Sequence, residues 1–68
     1  MSYKRIKIVK ALKEYGFEFL REGHNHTIFT DGKTSIPVGR HKEISPKTTQ
    51  RIAKEIGVLW QEFKRKIN

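Results

Sequence analysis

Only a few side chains in this sequence have the right chemistry to move protons or hold a metal at neutral pH. Two of its three histidines stand one residue apart in Gly23-His24-Asn25-His26-Thr27-Ile28-Phe29, and the third is His41 in Gly39-Arg40-His41-Lys42-Glu43-Ile44. On a strand, His24 and His26 would point to the same face, because side chains alternate with period two. Two neutral imidazoles so placed could hold zinc, with His41 as a third ligand. There is no cysteine and no further ligand cluster, and the scarcity of other ligands argues against a metal; no metal and no cofactor are expected. A second chemistry needs neither. Imidazole titrates near pH 6.5 and can accept or donate a proton at a phosphodiester, where RNA carries its own nucleophile, the 2′-hydroxyl. Nearby Lys and Arg would stabilise charge on the phosphate. A third reading leaves both rings as exposed strand residues with no task.

The charge favours a polyanionic partner. Fifteen Lys and Arg against seven Asp and Glu give a net charge of +8 over 68 residues. A potential of this sign concentrates polyanions and speeds their association; nucleic acid is the commonest, and an acidic protein fits as well. The cations fall mainly in two clusters, Lys4, Arg5, Lys7, Lys10 and Lys13, then Lys47, Arg51, Lys54, Lys64, Arg65 and Lys66. The chain has no apolar run near the roughly 18 residues of a membrane span and no secretory core segment. A soluble, cytoplasmic protein is expected, and the absence of disulfides is compatible with a reducing compartment.

These residues need a scaffold, and the hydrophobic pattern supplies one. Ser2 is the expected cap of a helix from about Tyr3 to Tyr15, with Ile6, Val9 and Leu12 as its apolar stripe and Gly16 as its stop. Phe17, Phe19 and Leu20 predict a first strand, followed by a turn around Gly23. A second strand runs from His26 to Thr30, Asp31-Gly32 signals a hairpin, and a third strand spans Thr34 to Val38, where Pro37 marks a sheet edge. After the loop Gly39–Ile44, Ser45-Pro46 opens a second helix that carries Ile52, Ala53 and Ile56 and ends at Gly57. A short terminal helix follows, with Leu59, Trp60, Phe63 and Ile67 packing back. The expected fold is α+β: a three-stranded antiparallel sheet covered on one face by helices, the other face open to a ligand.

Taken together, GFEFLREGHNHTIFTDG and SIPVGRHKEISPKTTQRIAKEIGV resemble the HicA family of bacterial toxins, small messenger-RNA-cleaving enzymes of toxin–antitoxin pairs. The similarity covers nearly the whole chain, so that residues 1–68 are expected to form a single HicA-like domain. It implies a fold like the double-stranded-RNA-binding domain, of order α–β–β–β–α with a short C-terminal helix. It also implies a type II toxin acting as a metal-independent endoribonuclease on mRNA, and a HicB-type antitoxin as partner. The family's catalytic histidine follows a small polar residue at the start of the second strand, a position matched by Asn25-His26, so His26 inherits the role of general acid or base. His24 stands where the family usually has glycine, and Gly39 where a proline is common. Arg21, Asn25, Arg40, Lys42 and Lys47 are the expected RNA contacts, Lys47 from the first turn of a helix, where free N–H groups favour an anion. The acid partner of His26 is open, with His41 and Tyr or Lys side chains as candidates.

Two alternatives belong to other classes. One is a non-catalytic RNA-binding module of the same fold. The other makes the first helix a basic membrane-surface anchor, against which stands its lack of large aromatic residues beyond Tyr3 and Tyr15.

Overall fold

The computed structural model describes all residues from Met1 to Asn68. Its elements run β1 (Tyr3–Lys4), α1 (Arg5–Glu14), β2 (Glu18–Glu22), β3 (His26–Thr30), β4 (Ser35–Gly39), β5 (Glu43–Ile44), α2 (Pro46–Glu55) and α3 (Trp60–Ile67). The α–β–β–β–α order expected from the sequence is present, with α3 appended. The sheet is antiparallel, in the order β2-β3-β4, and Pro37 does lie on an edge strand, opposite Ile28. No helix is long and apolar enough to cross a membrane.

One face of the sheet is covered. Thr27 and Phe29 of β3 and Ile36 and Val38 of β4 are all at most 3% exposed. Phe29, Ile36 and Val38 form one core with Ile8, Ala11 and Leu12 of α1, Ile52 and Ala53 of α2, and Phe63 and Ile67 of α3. His26, Ile28 and Pro37 alternate with these residues and belong to the opposite, open face. β2 is exposed along its whole length, Phe19 included, and its pairing with β3 shifts register between Phe19 and Arg21. Two glycine-terminated helix ends shape the scaffold. Gly16 and Gly57 have φ of +89° and +77°, and the residue after each reaches back to the helix, Phe17 to the Leu12 carbonyl and Val58 to that of Ala53.

The start of α1 differs from the sequence expectation. Tyr3 and Lys4 are extended and pair with Ile44 and Glu43 in a second, two-stranded sheet. The Arg5 N–H donates to the Lys42 carbonyl at 2.8 Å. A backbone partner thereby satisfies the helix entrance, and Ser2 is no cap; its hydroxyl donates to the Glu43 carboxylate instead. With the helix starting at Arg5, the buried stripe is Ile8, Ala11 and Leu12, with Tyr15 partly buried. Ile6, about 200° around the axis from Ile8, is 75% exposed. Leu59 is also exposed, because it precedes the first turn of α3, and Val58 and Trp60 pack on the core in its place. Trp60 meets Tyr3 edge to face, with ring centroids 5.6 Å apart, which ties α3 to β1. Ser45 caps α2 as expected, its Oγ accepting from the Thr48 N–H, with Pro46 in the first turn.

Candidate active site

His26 is the first residue of β3 and pairs with Gly39, the last residue of β4. The short stretch from Gly39 to β5 therefore leaves the sheet directly beside it. His26 and His41 line one cavity of about 320 Å³, together with Pro37, Gly39, Glu43, Ile44, Ser45, Thr48 and Arg51. The volume lies at the lower end of the range for small-ligand sites. Ser45 and Thr48 bring the first turn of α2 to the cavity wall, and Arg51 adds a cation one turn further along. An anion entering here would meet a guanidinium and the N-terminal end of a helix of ten residues, both of which favour negative charge.

The turn presenting His26 is held from three directions. The Gly23 N–H donates to the His26 carbonyl at 2.6 Å. A Cβ on Gly23 would sit 3.0 Å from that same oxygen, so glycine is required for close approach and not for an unusual φ. No non-glycine residue has a positive φ; His24 fits this turn without backbone strain. The second hold is Arg40, whose guanidinium donates to Glu22 Oε1 at 2.9 Å and to the carbonyls of Gly23, His24 and His26. The third is Arg5, which donates from Nε to the Gly39 carbonyl at 2.7 Å and from Nη2 to the hydroxyl of buried Thr27 at 3.0 Å. The Thr27 hydroxyl in turn donates a hydrogen bond to Glu22 Oε1. Hydrogen bonds from Arg40 and then Thr27 hold the Glu22 carboxyl below the usual carboxylate range.

The residues singled out in the sequence fall into different places. Lys47 faces a neighbouring depression of about 560 Å³ with Gln50, Lys54 and Trp60. Thr48 and Arg51 line both this depression and the His26 cavity, so the two adjoin. Lys42 and Arg40 border a different groove, of about 510 Å³, with Lys4, Arg5, Ile6, Val9 and Glu43. Arg21 lies opposite Ile28, on the His26 face of the sheet, and makes no ion pair. Asn25 is exposed in the turn and lines none of the cavities. His24 lies outside them too. Nowhere do three His, Cys, Asp or Glu side chains converge so as to hold a metal ion. From the sequence, Arg51 stands out only as one cation of the second cluster, and Thr48 does not stand out at all. The signal that could have found them is their spacing from Ser45: Thr48 and Arg51 recur at intervals of three on the same flank of α2.

A small basic α+β protein, with two imidazoles and a helix N-terminus around one cavity on the flank of a three-stranded sheet, belongs to the class with double-stranded-RNA-binding-domain-like architecture. The comparison with known families is more specific. A family model described as the HicA toxin of bacterial toxin–antitoxin systems matches residues 6–58, and the chain belongs to this family. The matched stretch contains His26, His41 and Arg51 and leaves β1 and α3 outside. Membership makes the protein a toxin of a toxin–antitoxin pair, with an antitoxin as its counterpart. No curated protein and no solved structure matches the chain.

Proposed function

We propose that the protein is a metal-independent endoribonuclease that cleaves mRNA, with His26 as general acid or base at the scissile phosphodiester. The observation that carries this reading is the position of His26 on a cavity walled by Arg51 and the first turn of α2. A phosphodiester there has a proton-transfer group on one side and stabilisation of its negative charge on the other. Lys47 and Lys54 continue the basic surface beyond Arg51 and provide contacts for neighbouring phosphates. Arg21, on the His26 face, together with Asn25 and Lys42, completes the RNA-contacting set. Arg40 acts chiefly by positioning the turn, since its guanidinium is engaged by Glu22 and three carbonyls.

The proposed partner is a HicB-type antitoxin. An acidic surface over the His26 cavity would exclude RNA by competition and gain electrostatic steering from the toxin's net charge of +8. A purified complex that leaves His26 open to RNA refutes this part of the proposal.

The test of activity is cleavage of RNA in excess EDTA by the wild type, His26→Ala and His24→Ala. The expected result is a loss of about 10² to 10⁴ in rate for His26→Ala and wild-type behaviour for His24→Ala. RNA binding without cleavage by the wild type makes the protein a binding module, and cleavage that stops in EDTA removes the metal-independent mechanism.

A further inference from the structure

We propose that His41 is the second proton-transfer residue of the reaction, paired with His26 across the cavity. This rests on the reading of that cavity as a ribonuclease site and names the acid–base partner that the reading lacks. Attack of a 2′-hydroxyl on phosphorus requires two proton movements. As the O2′–P bond forms, one group takes the hydroxyl proton; as the P–O5′ bond breaks, another gives a proton to the departing 5′-oxygen. The products are a 2′,3′-cyclic phosphate and a 5′-hydroxyl, and no other reactant is consumed. One imidazole cannot be protonated and deprotonated at once, so a second group is needed at the same phosphate.

The titratable or charged side chains around the cavity are few: His26 from β3, His41 from the link between β4 and β5, Glu43 from β5 and Arg51 from α2. The Arg51 guanidinium offers N–H donors and no acceptor, which suits it to stabilising charge and not to taking the hydroxyl proton. Glu43 directs its carboxylate to the Ser2 hydroxyl, and between a carboxyl and an imidazole it is the imidazole whose ordinary range spans neutrality. That leaves His41. Its backbone is fixed on both sides by contacts that also organise His26. Arg40, before it, donates to the carbonyls of Gly23, His24 and His26. Lys42, after it, gives its carbonyl to the Arg5 N–H at 2.8 Å. The pairing of His26 with Gly39 starts the His41 segment two residues from the catalytic strand position. His24 shares the Arg40 contact through its carbonyl but lines none of the cavities, although it is closer in sequence.

The experiment compares the wild type with His26→Ala and His41→Ala on two short oligoribonucleotides. One has an ordinary linkage at the cleaved position; the other has sulfur replacing its bridging 5′-oxygen. The thiolate leaves without a proton, so loss of the general acid no longer matters on the second substrate. On the ordinary substrate each variant should lose about 100-fold or more. On the sulfur substrate one of the two variants, and not both, should recover to within about tenfold of the wild type, which identifies it as the acid-deleted form. The bell-shaped pH–rate profile of the wild type should lose a different limb in each variant. Binding of a 2′-deoxy analogue, which lacks the nucleophile, reports that each variant is folded, and His41→Asn serves as a second variant should His41→Ala lose that binding.

Full activity of folded His41→Ala or His41→Asn on the ordinary substrate overturns the inference and leaves the role of His26 intact. Failure of both alanine variants to recover on the sulfur substrate also overturns it. A wild type that cleaves neither substrate refutes the nuclease reading itself, and the role of His41 with it.

Discussion

The two ends of β3 are built by different means. At the far end, the Asp31 turn is held by its own residues: Asp31 Oδ1 accepts the N–H groups of Lys33 and Thr34 at 2.9 and 2.8 Å, and the Thr30 hydroxyl donates to the Thr34 carbonyl. Gly32, with φ of +96°, supplies the left-handed position that a tight hairpin needs. At the His26 end, by contrast, the one local bond between Gly23 and His26 is supplemented by Arg40 and Arg5, which come from β4's exit and the start of α1. A turn that only has to reverse the chain can be specified by five residues. A turn that must hold an imidazole against a helix from elsewhere in the chain is fixed by distant arginines, and so depends on the whole fold being assembled.

Removing the long-range clamp should separate the two ends most sharply. Arg40→Met keeps much of the aliphatic stem but deletes the bonds to Glu22 and the three carbonyls. On the proposed function it should lower RNA cleavage by about tenfold to a hundredfold, the scale of a misplacement near 1 Å at a reacting group. Binding of a 2′-deoxy analogue should change far less, because Arg40 does not itself line the His26 cavity. Equal losses in cleavage and binding would show that Arg40 contacts the RNA instead of positioning His26.

Thr27→Val tests the brace beneath the strand. The hydroxyl lies between Arg5 and Glu22 in a residue only 3% exposed, and replacing it by a methyl group should destabilise the protein by about 1 to 2 kcal/mol. Urea unfolding measures this, and an unchanged midpoint would mean that Arg5 and Glu22 re-pair without it.

The smallest expected effect is an acid dependence shared by both ends. Asp31 is held below its usual 3.8 by the Thr34 and Lys33 N–H groups, and Glu22 below its usual 4.5 by Arg40 and Thr27. Because both folded-state values are depressed, each carboxylate contributes stability above its unfolded value and loses it as pH falls through the lower folded value. Stability should therefore decline below about pH 4.5 for the Glu22 contribution and below about pH 3.8 for that of Asp31. Glu22→Gln should flatten the upper part of that decline and lower cleavage, whereas Asp31→Asn should flatten the lower part and leave cleavage unchanged. Chemical denaturation between pH 3 and 6 distinguishes them.

The same contrast explains what was legible in the sequence. The β-hairpin at Asp31-Gly32, the Ser45-Pro46 helix start and the glycine stops at Gly16 and Gly57 are local devices, and each forms where its residue types place it. The start of α1 departs from its local sequence pattern for the complementary reason. Ser2 has the right chemistry for a cap, but β5 offers Tyr3 and Lys4 a strand partner and offers Arg5 a carbonyl. No pattern within the first fifteen residues announces a partner that lies some forty residues away. Ile6 then falls outside the core because those contacts set where α1 begins, and Leu59 because it lies just before the first turn of α3.

Within the candidate site, sequence alone determined the raw chemistry: three imidazoles, an excess of cations, and a β-strand beginning at His26 whose alternation assigns that ring to one face. Family resemblance distinguished His26 from His24. Tertiary structure decided the rest. It brought His41 and Arg51 to the same cavity as His26, engaged Arg40 with backbone carbonyls, and put Lys42 on another groove. The physical reason is that periodicity reports the face of an element, whereas convergence of side chains depends on strand register and on hydrogen bonds between segments far apart in the chain.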